Sequence, residues 1–173
     1  MVIEEQVKLA IQGDEKAFEY LMDINKEGFY RTAYAYVKNE ADALDILQET
    51  VYKAYMSIGK LKEPKYFKTW ITRILINNAK DFMKKKNKVV SIVDNLSEAS
   101  SYYESGGIDE KLDILSSIDK LEYKLKNVIV LKYFQDLTIT EISQVLECPT
   151  GTVKTHLNKA LSKLRISMGK ESV

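Results

Sequence analysis

The chain has 173 residues, 45% of them apolar, enough for one domain or two small ones with real cores, which excludes disorder throughout. Its single cysteine, Cys148, excludes an internal disulfide and a cysteine-built zinc cluster and reads as a small buried residue in a turn. With a net charge of +1, one histidine, and no GxxxxGK or GxGxxG string, there is little basis for metal, nucleotide-phosphate or Ser/His/Asp chemistry, so no enzyme activity and no cofactor is expected.

The start, MVIEEQVKLA, is acidic and lacks the basic-then-apolar order of a secretory signal. No apolar stretch approaches the roughly 18 residues a membrane span needs, and a soluble cytoplasmic protein is expected. Apolar residues then recur at intervals of three and four, which predicts an all-α fold. Asp14 can cap a helix carrying Phe18, Leu21, Met22, Phe29, Tyr30 and Ala33. Asn39 can cap a second, in which Leu44, Leu47, Val51, Ala54, Tyr55 and Ile58 form one inward stripe before Gly59 ends it. Asp42, Asp45 and Glu49 project from one side of that helix, and Glu49 with Lys53 can form a surface pair of about 0.3–0.5 kcal/mol.

Pro64 suits the first turn of a third helix running to about Lys86, with Phe67, Trp70, Ile71, Ile74 and Phe82 facing inward. From Lys60 to Lys88 there are ten bases and two acids, a local excess of +8. Arg73, Asn77, Lys80 and Lys84 share one face, with Tyr66, Phe67 and Trp70 near its start. Lysines that follow a backbone and rings that hold unstacked bases suit single-stranded nucleic acid, although Phe67 serves equally well as core.

From Val89 to Lys111 the periodicity fades into a run of Ser, acids and paired glycines, which predicts a flexible connector between two helical domains. Asp94 to Glu122 holds eight acids and two bases, an excess of −6. Two basic blocks flanking an acidic middle point to an anionic partner met at two places. An extended connector of about 21 residues reaches at most ~70 Å, close to two DNA turns of ~34 Å.

Beyond it, Asp119 and Glu122 have capping-box spacing, followed by Leu121, Leu125, Val128 and Ile129 on one face. Thr138 and Glu141 form a second capping box, opening a helix with Ile142 and Val145. The chain turns through ECPTG, and a last helix from about Thr152 carries Val153, Leu157, Ala160, Leu161 and Leu164 as its buried stripe. That is a helix-turn-helix. Its outer face keeps Lys154, Thr155, Asn158, Lys159 and Ser162, with His156 to one side, and Pro149 to Lys170 contains five bases and no acid. Such a face suits a DNA major groove.

CPTGTVKTHLNKALSKLR, preceded by LTITEIS, resembles region 4.2 of the extracytoplasmic-function (ECF) sigma factors, group 4 of the sigma-70 family. DILQET, Asp45 to Thr50, resembles region 2.2, and FKTWITRILINNAKDFMKKK, Phe67 to Lys86, resembles regions 2.3 to 2.4, with Trp70, Arg73, Asn77 and Asp81 at matching spacing. NEADALDILQE and KEPKYFKTW look like the sigma-V-like branch, which is associated with envelope stress and lysozyme.

The resemblance implies two small helical domains, a sigma region 2 bundle over 1–90 and a region 4 helix-turn-helix domain over 112–173, joined by a flexible acidic linker over 91–111. It implies an alternative sigma factor that binds core RNA polymerase through Asp45, Gln48 and Glu49 on the beta-prime coiled-coil, with the beta flap as a further contact. Lys65, Tyr66, Trp70, Arg73, Asn77, Lys80 and Lys84 would hold the non-template strand of the minus 10 element with one base flipped out. Thr152, Lys154, Thr155, His156, Asn158 and Lys159 would contact the minus 35 element, Thr152 and His156 nearer its phosphates. A cognate anti-sigma factor, often membrane-anchored, is also implied. Lys154, His156 and Lys159 stand where family members often carry arginine, and Leu121–Glu122 replaces the usual Leu-Pro. The alternative is a LuxR-like regulator, which would use the C-terminal helices alone; a helical adaptor with no DNA role would leave both basic blocks unexplained.

Overall fold

The computed structural model describes residues 2–94 and 110–169, and among them eight α-helices and two short 3-10 turns but no strand. Helix α1, Val2–Ile11, buries Val7 and Ala10. Gly13, at φ 99°, makes the turn that brings α2, Glu15–Val37, back across α1. Asp14 caps α2 as expected, the Ala17 amide donating to its carboxylate at 2.9 Å. Lys38 ends α2 in the left-handed region at φ 51°, its amide donating to the Tyr34 carbonyl. Asn39 then caps α3, Glu40–Ser57, accepting from the Asp42 amide at 2.9 Å.

α3 is rotated from the expected orientation. It buries Ala43, Ile46, Thr50 and Ala54, whereas Leu44 is 42% exposed and Tyr55 48%, so the expected inward stripe is corrected. The reason is steric: alanines and a threonine let α3 approach α2 and α4 closely, and the bulkier side chains turn outward. Of the stripe, Ala54 and Ile58 are buried and Leu47 and Val51 half-buried.

α3 ends ahead of Gly59 in the 3-10 turn Ile58–Lys60. Pro64 opens a second 3-10 turn, Pro64–Tyr66, and α4 begins only at Phe67. α4 runs to Asp94, well past the expected end near Lys86 and into the segment expected as connector. Phe67 and Ile71 are buried; Trp70, Ile74 and Phe82 are half-buried. The expected flexibility of the connector falls on residues 95–109, outside the described residues.

The C-terminal half comprises α5 (Glu110–Asp119), α6 (Tyr123–Tyr133), α7 (Ile139–Leu146) and α8 (Thr150–Ser167). α6 is its centre, buried continuously from Leu125 to Leu131. The capping box expected from Asp119 and Glu122 does not form. α5 ends at Asp119, and Glu122 begins α6 without a side-chain cap. Both carboxylates serve lysines instead: Asp119 takes Lys38 and Lys126, and Glu122 takes Lys163 at 2.8 Å. Thr138 and Glu141 do form the second capping box, at 3.2 and 2.7 Å. Glu147 closes α7 at φ 54°, and α8 starts at Thr150, two residues earlier than expected.

The halves share one core. Buried and part-buried hydrogen bonds cross between them: the Tyr36 hydroxyl donates to Asn127 at 2.6 Å, and the Gln135 amide donates to the Gly28 carbonyl at 2.8 Å and the Thr32 hydroxyl at 2.6 Å. Burial, with Tyr123 beside it, pushes the Tyr36 phenol well above its ordinary pKa. No helix among the described residues is long and apolar enough to cross a membrane.

Candidate polymerase and nucleic-acid interfaces

Asp45, Gln48 and Glu49 all lie exposed on α3. Beside them opens a groove of about 730 Å³, lined by Phe18, Leu44, Leu47, Val51 and Tyr55 and edged by Glu15 and Glu19. Tyr55 stands edge-on to Phe18 with ring centroids 5.3 Å apart, and its hydroxyl donates to Glu15 at 3.0 Å. That hydrogen bond and the Glu15 charge raise the phenol's pKa. Glu49 pairs with Lys53 at 3.3 Å, as the i,i+4 spacing suggests, and Asp42 pairs with Lys86 of α4. The carboxylates are legible in the sequence and the groove is not, because periodicity alone places its apolar wall in the core. A signal was available: α3 has small or apolar residues at Ala43, Ile46 and Ala54 as well as at Leu44, Leu47 and Val51, more than one buried stripe requires.

On α4, Arg73, Asn77, Lys80 and Lys84 are exposed on a common face. At its start Lys65 lies over the Tyr66 ring, 4.9 Å from the centroid, and Trp70 is half-buried 6.0 Å from Phe67. Phe67, only 5% exposed, is core and not surface. Asn77 borders two depressions. One, about 600 Å³, lies between α3 and α4 and offers apolar Tyr52, Met56 and Ile74 with polar Lys60 and Asn77. The other, about 230 Å³, is walled by Arg73, Asn77 and Lys80 on one side and by Tyr123, Leu146 and Glu147 of the C-terminal half on the other. Arg73 donates to the Gln144 carbonyl at 2.5 Å and stands 3.5 Å from the Glu147 carboxylate. The structure thus brings Arg73, Asn77 and Lys80 together, but against α7. This covering was not legible in the sequence.

The outward face of α8 is as expected. Lys154, Thr155, Asn158 and Lys159 are exposed, Thr152 and His156 half-buried, and Val153 and Ala160 fully buried beneath them. The Thr155 hydroxyl donates to the Gly151 carbonyl at 3.0 Å. Glu122 lies near the far end of this face: its hydrogen bond with Lys163 holds its pKa below the usual carboxylate range, with Lys159 and His156 adding to the effect. No group of His, Cys, Asp and Glu among the described residues is arranged to hold a metal.

Residues 21–89 match the Sigma-70 region 2 family and residues 111–164 match Sigma-70, region 4. The chain is 38% identical to RNA polymerase sigma factor SigV of Bacillus subtilis over 86% of this chain and 89% of that one. It is 32% identical to ECF RNA polymerase sigma factor SigW of the same organism, over 95% and 96%. Among solved structures, CnrH in complex with the cytosolic domain of CnrY has a TM-score of 0.75 at 19% identity, covering 99% of this chain and 100% of that one. The sigma factor RpoE in complex with the anti-sigma factor NepR from Bartonella quintana has a TM-score of 0.77 at 19% identity, covering 91% and 99%. A match that includes the N-terminal half leaves no place for a regulator working through its C-terminal helices alone. The chain belongs to the ECF group of the sigma-70 family: it is a sigma factor of RNA polymerase, a non-enzymatic subunit that directs promoter-specific initiation.

Proposed function

We propose that three separate faces divide the work of initiation. Asp45, Gln48 and Glu49 dock the basic side of the polymerase beta-prime coiled-coil, and the neighbouring apolar groove takes its aliphatic side chains. The basic face of α4 and the 3-10 turn before it hold the non-template strand of the minus 10 element, with Lys65, Arg73, Lys80 and Lys84 on phosphates and Tyr66, Trp70 and Asn77 at the bases. The groove of Tyr52, Met56, Ile74 and Asn77 has the mixed apolar and polar lining that an unstacked base requires. Lys154, Thr155, Asn158 and Lys159 read the minus 35 duplex, with Thr152 and His156 toward its phosphates, and the beta flap supports that half. In this reading residues 1–90 and 112–173 act as two domains joined by the acidic linker 91–111.

Melting then needs no hydrolysis by this chain. Unstacking a base costs a few kcal/mol, and each captured base returns about 1–3 kcal/mol by stacking. The observation that carries the reading is the pair of basic faces, on α8 and on α4, the latter partly covered by α7, set apart from an acid-edged apolar groove on α3. The groove also suits an amphipathic helix of an anti-sigma factor. The similar CnrH and RpoE structures each hold a partner of their own, CnrY and the anti-sigma factor NepR. A cytoplasmic chain held at the membrane by such a partner fits this arrangement and its lack of a spanning helix among the described residues.

Three affinities measured on three variants test the division. Glu49→Lys should lose core polymerase while keeping minus 35 duplex binding. Asn158→Ala should lose the duplex alone, and Asn77→Ala, in the holoenzyme, the single strand alone. A variant that lost a different ligand from the one assigned, or all three together, would contradict it.

A further inference from the structure

The seam between α3 and α4 contains a polar cluster to which no role has been given so far, at the floor of the depression proposed for the unstacked base, which Lys53 and Asn78 also line. Asn78 is 5% exposed and Thr50 fully buried. The Asn78 carboxamide oxygen accepts from the Lys53 ammonium at 2.6 Å, and its nitrogen donates to the Thr50 hydroxyl at 3.0 Å. The Thr50 hydroxyl donates in turn to the Ile46 carbonyl at 2.7 Å. The orientation of the amide is fixed by its neighbours, since a flipped amide would present its NH2 to an ammonium and its oxygen to a hydroxyl whose proton is already committed. Lys53 also touches Glu49, so the cluster runs from the proposed polymerase face on α3 to the residue next to Asn77 on α4.

We infer that Asn78 is a positioning residue, fixing the rotation and axial register of α4 against α3 so that Asn77 and Arg73 meet the promoter strand. The inference rests on the assignment of the α4 face to the minus 10 strand. The buried apolar side chains of the two helices, among them Ile46, Ala54, Leu75 and Ala79, belong to one core but attract without direction. Hydrogen bonds are directional: a rotation of α4 by about 20° would carry a side-chain tip at ~6 Å radius through about 2 Å, well beyond the ~0.5 Å tolerance of a binding constellation. Asn77 and Asn78 are consecutive, about 100° apart around the helix, so holding one orients the other. Lys53 adds a link to the polymerase face: a polymerase cation that takes Glu49 leaves the Lys53 ammonium to Asn78 alone.

The test uses the full-length chain bound to core polymerase. The probe is a single-stranded oligonucleotide selected from a random pool by the wild-type complex, and polymerase affinity is measured in parallel. Asn78→Leu, which keeps the volume and removes both hydrogen bonds, should weaken strand binding by about five- to tenfold while polymerase affinity stays within about twofold of wild type. Thr50→Val, which removes one of the two bonds, should weaken strand binding by about threefold. Thr50→Ser should restore it. The pair Asn78→Leu and Thr50→Val should bind the strand no worse than Asn78→Leu alone. If Asn78→Leu does not fold, the contrast between Thr50→Val and Thr50→Ser decides the matter.

Wild-type strand affinity in Asn78→Leu or Thr50→Val, or a parallel fall of strand affinity, polymerase affinity and melting temperature, would overturn the inference by showing a bond that only holds the fold. Asn77→Ala separates this failure from that of the underlying reading. If Asn77→Ala binds the strand normally, the α4 face is wrongly assigned; if it loses the strand while Asn78→Leu keeps it, only the positioning role fails.

Discussion

Gln135 and Asp119 show how single side chains join the two halves. Replacing Gln135 with Leu removes the side-chain donor that the Gly28 carbonyl and the Thr32 hydroxyl share. The expected cost is about 1–2 kcal/mol, read from the shift of a chemical denaturation midpoint. Burial raises the pKa of Asp119, but hydrogen bonds from Lys38 and Lys126 and their charges outweigh it, and the net shift is downward. A carboxyl lowered on folding stabilises fully above its unfolded value of about 3.9 and ceases to do so as pH falls through its folded value. Asp119→Asn should therefore be less stable than wild type at pH 7, and the difference should shrink as pH falls below the unfolded carboxyl value toward the lower folded one. Denaturation across a pH series checks it; a difference that does not shrink in acid would assign the effect to packing. Caps at Asp14, Asn39 and Thr138 were legible because each acts within four residues. Asp119 and Glu122 have the same spacing, but distant lysines claim them, and no local pattern announces that.

Among the elements, α3 decides how the polymerase face is read. Its sequence carries two apolar faces, and periodicity alone favours the bulkier one, whereas close helix packing selects the smaller. That orientation predicts opposite results for neighbouring residues. Ile46→Ala, at a site 1% exposed, should cost about 2–4 kcal/mol. Leu44→Asp, at a site 42% exposed, should cost less than about 1 kcal/mol and yet weaken core polymerase binding. Denaturation of the two variants, followed by polymerase titration of Leu44→Asp, checks both. For α8 the buried stripe and the basic face were both legible, since a short amphipathic helix after a tight turn has one inward solution. Lys154→Ala should weaken duplex binding by about 1–3 kcal/mol and relax the preference at the base pair it reads, measured by titrating minus 35 duplexes that differ at single positions.

In the whole molecule, α7 lies on the face of α4 that is proposed to hold the promoter strand. Tyr123, Leu146 and Glu147 face Arg73, Asn77 and Lys80 across a narrow depression, and the Glu147 carboxylate beside Arg73 would repel a phosphate, so capture of the strand is expected to part the halves. Dyes on the exposed positions Ile24 and Ile166 should show high transfer efficiency in the free chain and a clear fall once core polymerase and promoter are added. Unchanged transfer in the open complex would mean that α4 does not read DNA through this face. The two-part organisation was legible from the loss of periodicity after Val89, but the docking of one part on the other was not. It depends on Tyr36, Asn127, Gln135 and Arg73, each unremarkable in its own segment and matched only by folding.

The most direct measurement is run-off transcription from a promoter pool by core polymerase, alone and with the wild-type, Glu49→Lys or Asn77→Ala chain. Specific initiation is expected with the wild-type chain. Glu49→Lys should abolish it by failing to join the polymerase, and Asn77→Ala should join the polymerase and protect minus 35 DNA but leave the minus 10 thymines unreactive to permanganate. Full initiation by both variants would contradict the assignment of α3 to the polymerase and of α4 to the promoter strand.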